Sequence, residues 1–233
     1  MRHALGTIQA GLAPVEDFHP ETSERHFRLI VADPLERIVI AGIVDGLKCD
    51  CRLSFELLPP QTVQIENALL DFNVDLAVFL LPARHNELSN QPLCPVDMVA
   101  VARRDHPRIS GRLTPEMMKS EQFIGLALAP GKLKNSEKLT VWQRVGQHPF
   151  VQVHKASSIA QITAKTDMIG MVPAAYAAEF AGTYGLQVMQ VPMSVSNQQF
   201  HMTWHKRFDG DPGHLWLRQR VVEAVNLPPQ PGP

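Results

Sequence analysis

The chain has 233 residues, 22 basic against 23 acidic side chains, and a hydrophobic fraction of 45%. That is enough apolar material for one large or two small cores without metal or disulfide support, and a charge balance with no electrostatic footprint for gripping a phosphate backbone. Cys49, Cys51 and Cys94 have no zinc-like spacing and read as reduced thiols, the N-terminus lacks the apolar core of a signal peptide, and no stretch approaches the roughly 20 apolar residues of a membrane span. Export, membrane insertion and direct nucleic-acid binding are not expected, and a cytoplasmic location is.

Gly11, Pro14 and Pro20 interrupt residues 1–22, which read as the end of a linker rather than core. Residues 26–32 (HFRLIVA) are expected as a strand, and Asp33-Pro34 then opens a helix running to about Leu47, with Asp33 as its N-cap. Residues 51–58 alternate like a strand, 61–73 carry apolar residues at helical spacing, and 75–80 (DLAVFL) form a nearly continuous apolar run suited to a covered sheet. The order strand, helix, strand, helix, strand is that of a doubly wound α/β unit.

Residues 82–92 read as a polar loop, 96–102 (VDMVAVA) as a strand, and Arg103-Arg104-Asp105-His106-Pro107 as a charged turn. The pattern then restarts. Thr114 caps a short helix with Pro115 at its first position, 123–128 is a strand, 135–145 a helix, and 151–173 (VQVHKASSIAQITAKTDMIGMVP) a tight strand, helix, strand unit suited to a parallel crossover. A helix over 174–181, strands over 186–191 and 200–204, and an amphipathic helix over 214–226 complete the chain, with a proline-rich tail at 227–233 expected to be disordered.

In the 151–173 unit the loop after the first strand and the free N–H groups of the next helix face a common side, so Lys155, Ser157 and Ser158 read as one wall of a small-molecule site. Ser157 or Ser158 is also well placed to cap that helix. His201 and His205 share one face of a strand, but no Cys, Asp or Glu nearby in sequence completes a metal shell, and neither a metal nor any other cofactor is expected. There is no G-x-S-x-G elbow and no phosphate-cradling loop, so no enzyme is read here.

The segments FRLIVAD (27–33), VDLAVFLLP (74–82), VAVARRDHP (99–107), TDMIGMVP (166–173) and MTWHKRFDGDPGHLWLRQRV (202–221), in this order, resemble the effector-binding domain of LysR-type transcriptional regulators. The last is similar to the subgroup of activators that answer to aromatic acids and plant flavonoids. The resemblance implies an α/β fold of periplasmic-binding-protein type II kind, two doubly wound lobes joined by two crossover strands. Lobe I would take residues 23–99 and 201–226, and lobe II residues 100–200. It implies a small organic effector, aromatic or carboxylic, held between the lobes, and a homodimer or tetramer. Only residues 1–12 stand where the linker helix would end, so an excised regulatory domain is expected, with DNA contacted through a domain outside this chain. The implied lining comprises Asp33, Pro34 and Leu35 after the first strand, Pro60 and Gln61 after the second, and Leu81 with Pro82 after the third. Ala100 and Val101 on the outgoing crossover, Leu128 and Ala129, then Lys155, Ser157, Ser158 and His205 complete it. A free-standing solute-binding protein and a small enzyme using the same cleft are the alternatives.

Overall fold

A computed structural model of the chain describes residues 18–47, 51–59, 64–126, 148–193 and 199–226. Two five-stranded sheets organise these residues, with strand orders β2-β1-β3-β10-β4 and β7-β6-β8-β5-β9. The chain divides into two compact units, the first grouping Ile38–Gln91 and Met202–Val225 with the chain up to Val31. The second groups Pro92–His201 with the short segment Ala32–Arg37.

In the first unit β1 (His26–Val31) pairs in parallel with β2 (Ser54–Leu57) and β3 (Leu76–Phe79), with Phe27 opposite Phe55 and Ile30 opposite Ala77. All of β1 beyond Arg28 is buried, because a strand paired on both edges and covered on both faces must be apolar throughout. Helix α2 (Ile65–Leu70) packs Ile65, Ala68 and Leu69 against Ile30 and Ala77. Helices α1 (Asp33–Val44) and α6 (Pro212–Asn226) touch at Gly42, where a Cβ would lie 2.3 Å from that of Ala224. Arg220 of α6 donates to the Gly42 carbonyl at 2.7 Å and to that of Asp45, satisfying the frayed end of α1. β4 (Leu88–Pro95) corrects the expected loop over 82–92: its polar, proline-containing sequence SNQPLCP suits only a strand at the sheet edge, which is where it stands beside β10 (Gln199–His205).

In the second unit β6 (Phe123–Leu126) is parallel to β7 (Val151–Val153) and β8 (Ile169–Pro173), and β5 (Met98–Arg103) runs antiparallel to β8 and β9 (Leu186–Gln190). The two-residue period of β5 sends Val99 and Val101 to the face covered by α4 (Ala156–Thr163) and α5 (Ala174–Tyr184). Ala100 and Ala102 go to the face covered by Ile109, Leu113 and Met118. Met118 belongs to α3 (Pro115–Ser120), which is capped as expected, with the Thr114 hydroxyl accepting from the Met117 N–H at 3.3 Å. α5 ends at Gly185 with φ 60°, the left-handed conformation that glycine adopts without a Cβ clash. Residues 1–17 of the expected linker, the tail and the helix expected over 135–145 lie outside the described residues.

Candidate functional site

The crossover β7-α4-β8 is built as its sequence pattern requires, with both strands parallel to the intervening β6. After β7, His154 and Lys155 turn the chain, and Lys155 is the N-cap of α4 in an extended conformation, φ −126° and ψ 136°, with no side-chain cap. Ser157 and Ser158 are the second and third residues of the helix and not its cap, which corrects the capping expectation. The Ser158 N–H turns back to the Lys155 carbonyl at 3.2 Å. Ala156, the first helical residue, has its N–H on the Asp33 carboxylate, with Oδ2 at 2.7 Å.

Asp33 therefore does something its local sequence does not announce. Its own helix starts on the Ala32 carbonyl, which accepts from Leu35 at 2.8 Å and Glu36 at 3.1 Å, so Asp33 is the first residue of α1 and not its N-cap. Its side chain instead satisfies an orphan donor 123 residues further on, within the second unit to which Ala32–Arg37 belongs. Among the described residues, no hydrogen bond engages its second carboxylate oxygen or either serine hydroxyl. Lys155 is exposed, Ser157 and Ser158 half-buried. The Asp33 carboxylate thus sits on the first N–H of an eight-residue helix that follows Lys155 and carries Ser157 and Ser158 in its first turn, residue types able to bond a small polar group.

The other expected residues are placed more variously. Leu35 is buried beside Asp33. After β3 in the first unit, Leu81 is half-buried and Pro82 exposed. Ala100 and Val101 are enclosed at 0% and 1% exposure in the two core layers, so neither side chain offers surface to a ligand. His205 packs edge-on against Phe72, centroids 4.8 Å apart, beyond the N-terminal end of β3, whereas Leu81 lies beyond its C-terminal end. Its Nδ1 accepts from the Arg207 N–H at 3.1 Å, and burial holds its pKa below the ordinary histidine value. Pro60, Gln61, Leu128 and Ala129, and the side chain of Pro34, lie outside the described residues.

Two other polar constellations compete for attention. A cavity of about 370 Å³ in the second unit is lined by Arg108, Glu121, Thr166 and Asp167, among others. Its charges are already matched: Arg108 grips Glu121 through two bonds of 2.8 and 2.7 Å, and Arg103 donates to Asp167 at 2.8 Å. These pairs hold both carboxyls below the usual carboxylate range. The cavity lies before the first residues of β6 and β8, the opposite end of the sheet from the start of α4. His26, with Nδ1 2.8 Å from the Ser54 hydroxyl and Nε2 3.3 Å from Glu56, has the residue types of a hydrolase triad. The three sit on facing positions of β1 and β2, half exposed to water, without the sequestered oxyanion donors acyl transfer needs. Among the described residues no group of His, Cys, Asp or Glu could hold a metal ion, and no helix is long and apolar enough to cross a membrane.

A sequence model of the LysR substrate binding domain matches residues 50–226. The transcriptional activator NagR of a Ralstonia species is 26% identical over 96% of this chain and 75% of its own length. The activator NahR of Pseudomonas putida is 28% identical over 94% of this chain and 74% of its own length. The regulatory domain of MexT, a transcriptional activator of Pseudomonas aeruginosa, superposes with a TM-score of 0.70 at 18% identity, covering 87% of this chain and 99% of that one. That likeness shows the fold, α/β and of the two-lobed periplasmic-binding type II kind. With most of its length matched from the first unit's second strand to the last helix, the chain belongs to the LysR substrate-binding domain family.

Proposed function

We propose that the chain is the effector-sensing part of a LysR-type transcriptional regulator, and that a small organic molecule, aromatic or carboxylic in class, is recognised at the start of α4. The observation that carries the reading is the Asp33 carboxylate held on the first N–H of α4, a helix preceded by Lys155 and opened by Ala156, Ser157 and Ser158, in a chain of this family. Recognition there becomes a signal when the effector has unequal affinity for two arrangements of the protein. Lobe I is assigned residues 23–99 with 201–226, and lobe II residues 100–200. The parent regulator is assigned to the cytoplasm, as a homodimer or tetramer that contacts DNA through a separate domain, and the present chain performs no catalysis. The naming of NagR and NahR as transcriptional activators supports this role.

A thermal-shift screen with benzoates, salicylates, flavonoids and small dicarboxylic acids tests the proposal. An effector at 100 times its Kd stabilises by about 2.7 kcal/mol, and the variants Lys155→Ala and Ser158→Ala lose most of that gain. Stabilisation undiminished in both variants would move the site elsewhere, and turnover of any compound would contradict a pure sensor.

A further inference from the structure

We infer that Asp33 sets the charge of the effector, selecting an uncharged group that donates a hydrogen bond over a carboxylate; this rests on the reading of the α4 terminus as the effector site. The first N–H of a helix is the donor to which an incoming anion would be drawn. In this chain it is taken by a carboxylate the protein supplies itself, at 2.7 Å. The acid is not a stray surface group, since α1 begins at Asp33 and the bonds from Leu35 and Glu36 to the Ala32 carbonyl fix the backbone that presents it. An effector carboxylate must either expel Asp33 from Ala156 or settle beside a like charge, and both oppose binding.

A neutral donor meets the opposite situation. The second oxygen of Asp33, without a partner among the described residues, is an acceptor ready for an amide N–H or a phenolic O–H. The hydroxyls of Ser157 and Ser158 can accept or donate as the ligand requires, and the exposed Lys155 balances Asp33, leaving no net positive charge to reward an anion. Of the aromatic or carboxylic effectors expected from the sequence, the geometry favours an uncharged aromatic donor over a carboxylate.

Salicylamide and salicylate differ at one substituent, uncharged donor against anion, and are the probes. Calorimetric titration of the full chain should show salicylamide bound at least about tenfold more tightly than salicylate. Asp33→Asn keeps an acceptor oxygen for Ala156 but removes the charge, and Asp33→Ser is a second, smaller replacement; melting curves without ligand establish that each is folded. Either variant should tighten salicylate at least about tenfold and bring the two affinities together. Wild type preferring salicylate, with a ratio unchanged in both variants, overturns the assignment of Asp33 and leaves the effector site standing. No saturable binding of either probe to wild type or variants overturns the effector-site reading and this inference with it.

Discussion

In the first unit His214 is fully enclosed yet bonded on both ring nitrogens, with Nε2 donating to the Asp75 carbonyl at 3.0 Å and Nδ1 accepting from Arg218 at 3.0 Å. Arg218 in turn donates to the carbonyls of Phe208 and Asp209, each at 3.0 Å. The second unit keeps both faces of its sheet apolar, and at one end Arg103, Arg108, Glu121 and Asp167 neutralise one another. A polar thread through a core makes stability depend on one protonation state and on every partner being present. An apolar core has no such dependence. Its limits are steric.

The largest expected effect breaks the thread. Arg218→Met removes the guanidinium bonds to the carbonyls of Phe208 and Asp209 and to His214 Nδ1, and should destabilise by about 3 kcal/mol in urea denaturation. A loss under about 1 kcal/mol would mean the thread is dispensable. Acid reads the same feature, because burial pushes the His214 pKa from 6.5 down to about 4. The folded state therefore binds fewer protons than the unfolded one in this range, so the contribution is complete above pH 6.5 and is lost as pH falls towards 4, about 3 kcal/mol in all. The difference between the pH–stability profiles of wild type and His214→Asn isolates it, and parallel profiles would contradict the assignment.

The second unit should respond to volume instead. At Gly170, facing α4, a Cβ would stand 2.5 Å from Ile159, 2.8 Å from the Thr163 hydroxyl and 2.9 Å from Val101. Gly170→Ala should cost about 2 kcal/mol with no change in pH dependence, and a neutral substitution would show that α4 can move off the sheet. Smallest is Thr114→Ala, which removes a local cap from α3 and should cost about 1 kcal/mol by thermal melting while leaving effector affinity as it was.

The contrast between α3 and α4 also shows what was legible in the sequence. Thr114-Pro115 states its cap within two residues, because the hydroxyl bonds to an N–H three positions away. The side chain that bonds the first N–H of α4 is that of Asp33, and no local pattern announces a partner 123 residues upstream, so the sequence pointed to Ser157 and Ser158. The parallel strands were readable from apolar runs such as LAVFL, which suit a covered position. β4 was not, since an edge strand can be polar and contain proline and then looks like a loop. The position of Lys155 and the two serines at the start of a helix was legible because a strand-to-helix turn fixes where they stand. His205 was harder, because strand composition alone does not say which end of a sheet it leaves from.

The most direct test of the central claim is the backbone amide signal of Ala156, Ser157 and Ser158 in proton–nitrogen correlation spectra during titration with the best ligand of the screen. The account predicts that these three amides shift with a common saturation curve while Glu116 and Met117 at the start of α3 stay in place. Saturable shifts confined to other parts of the chain, with α4 undisturbed, would contradict it.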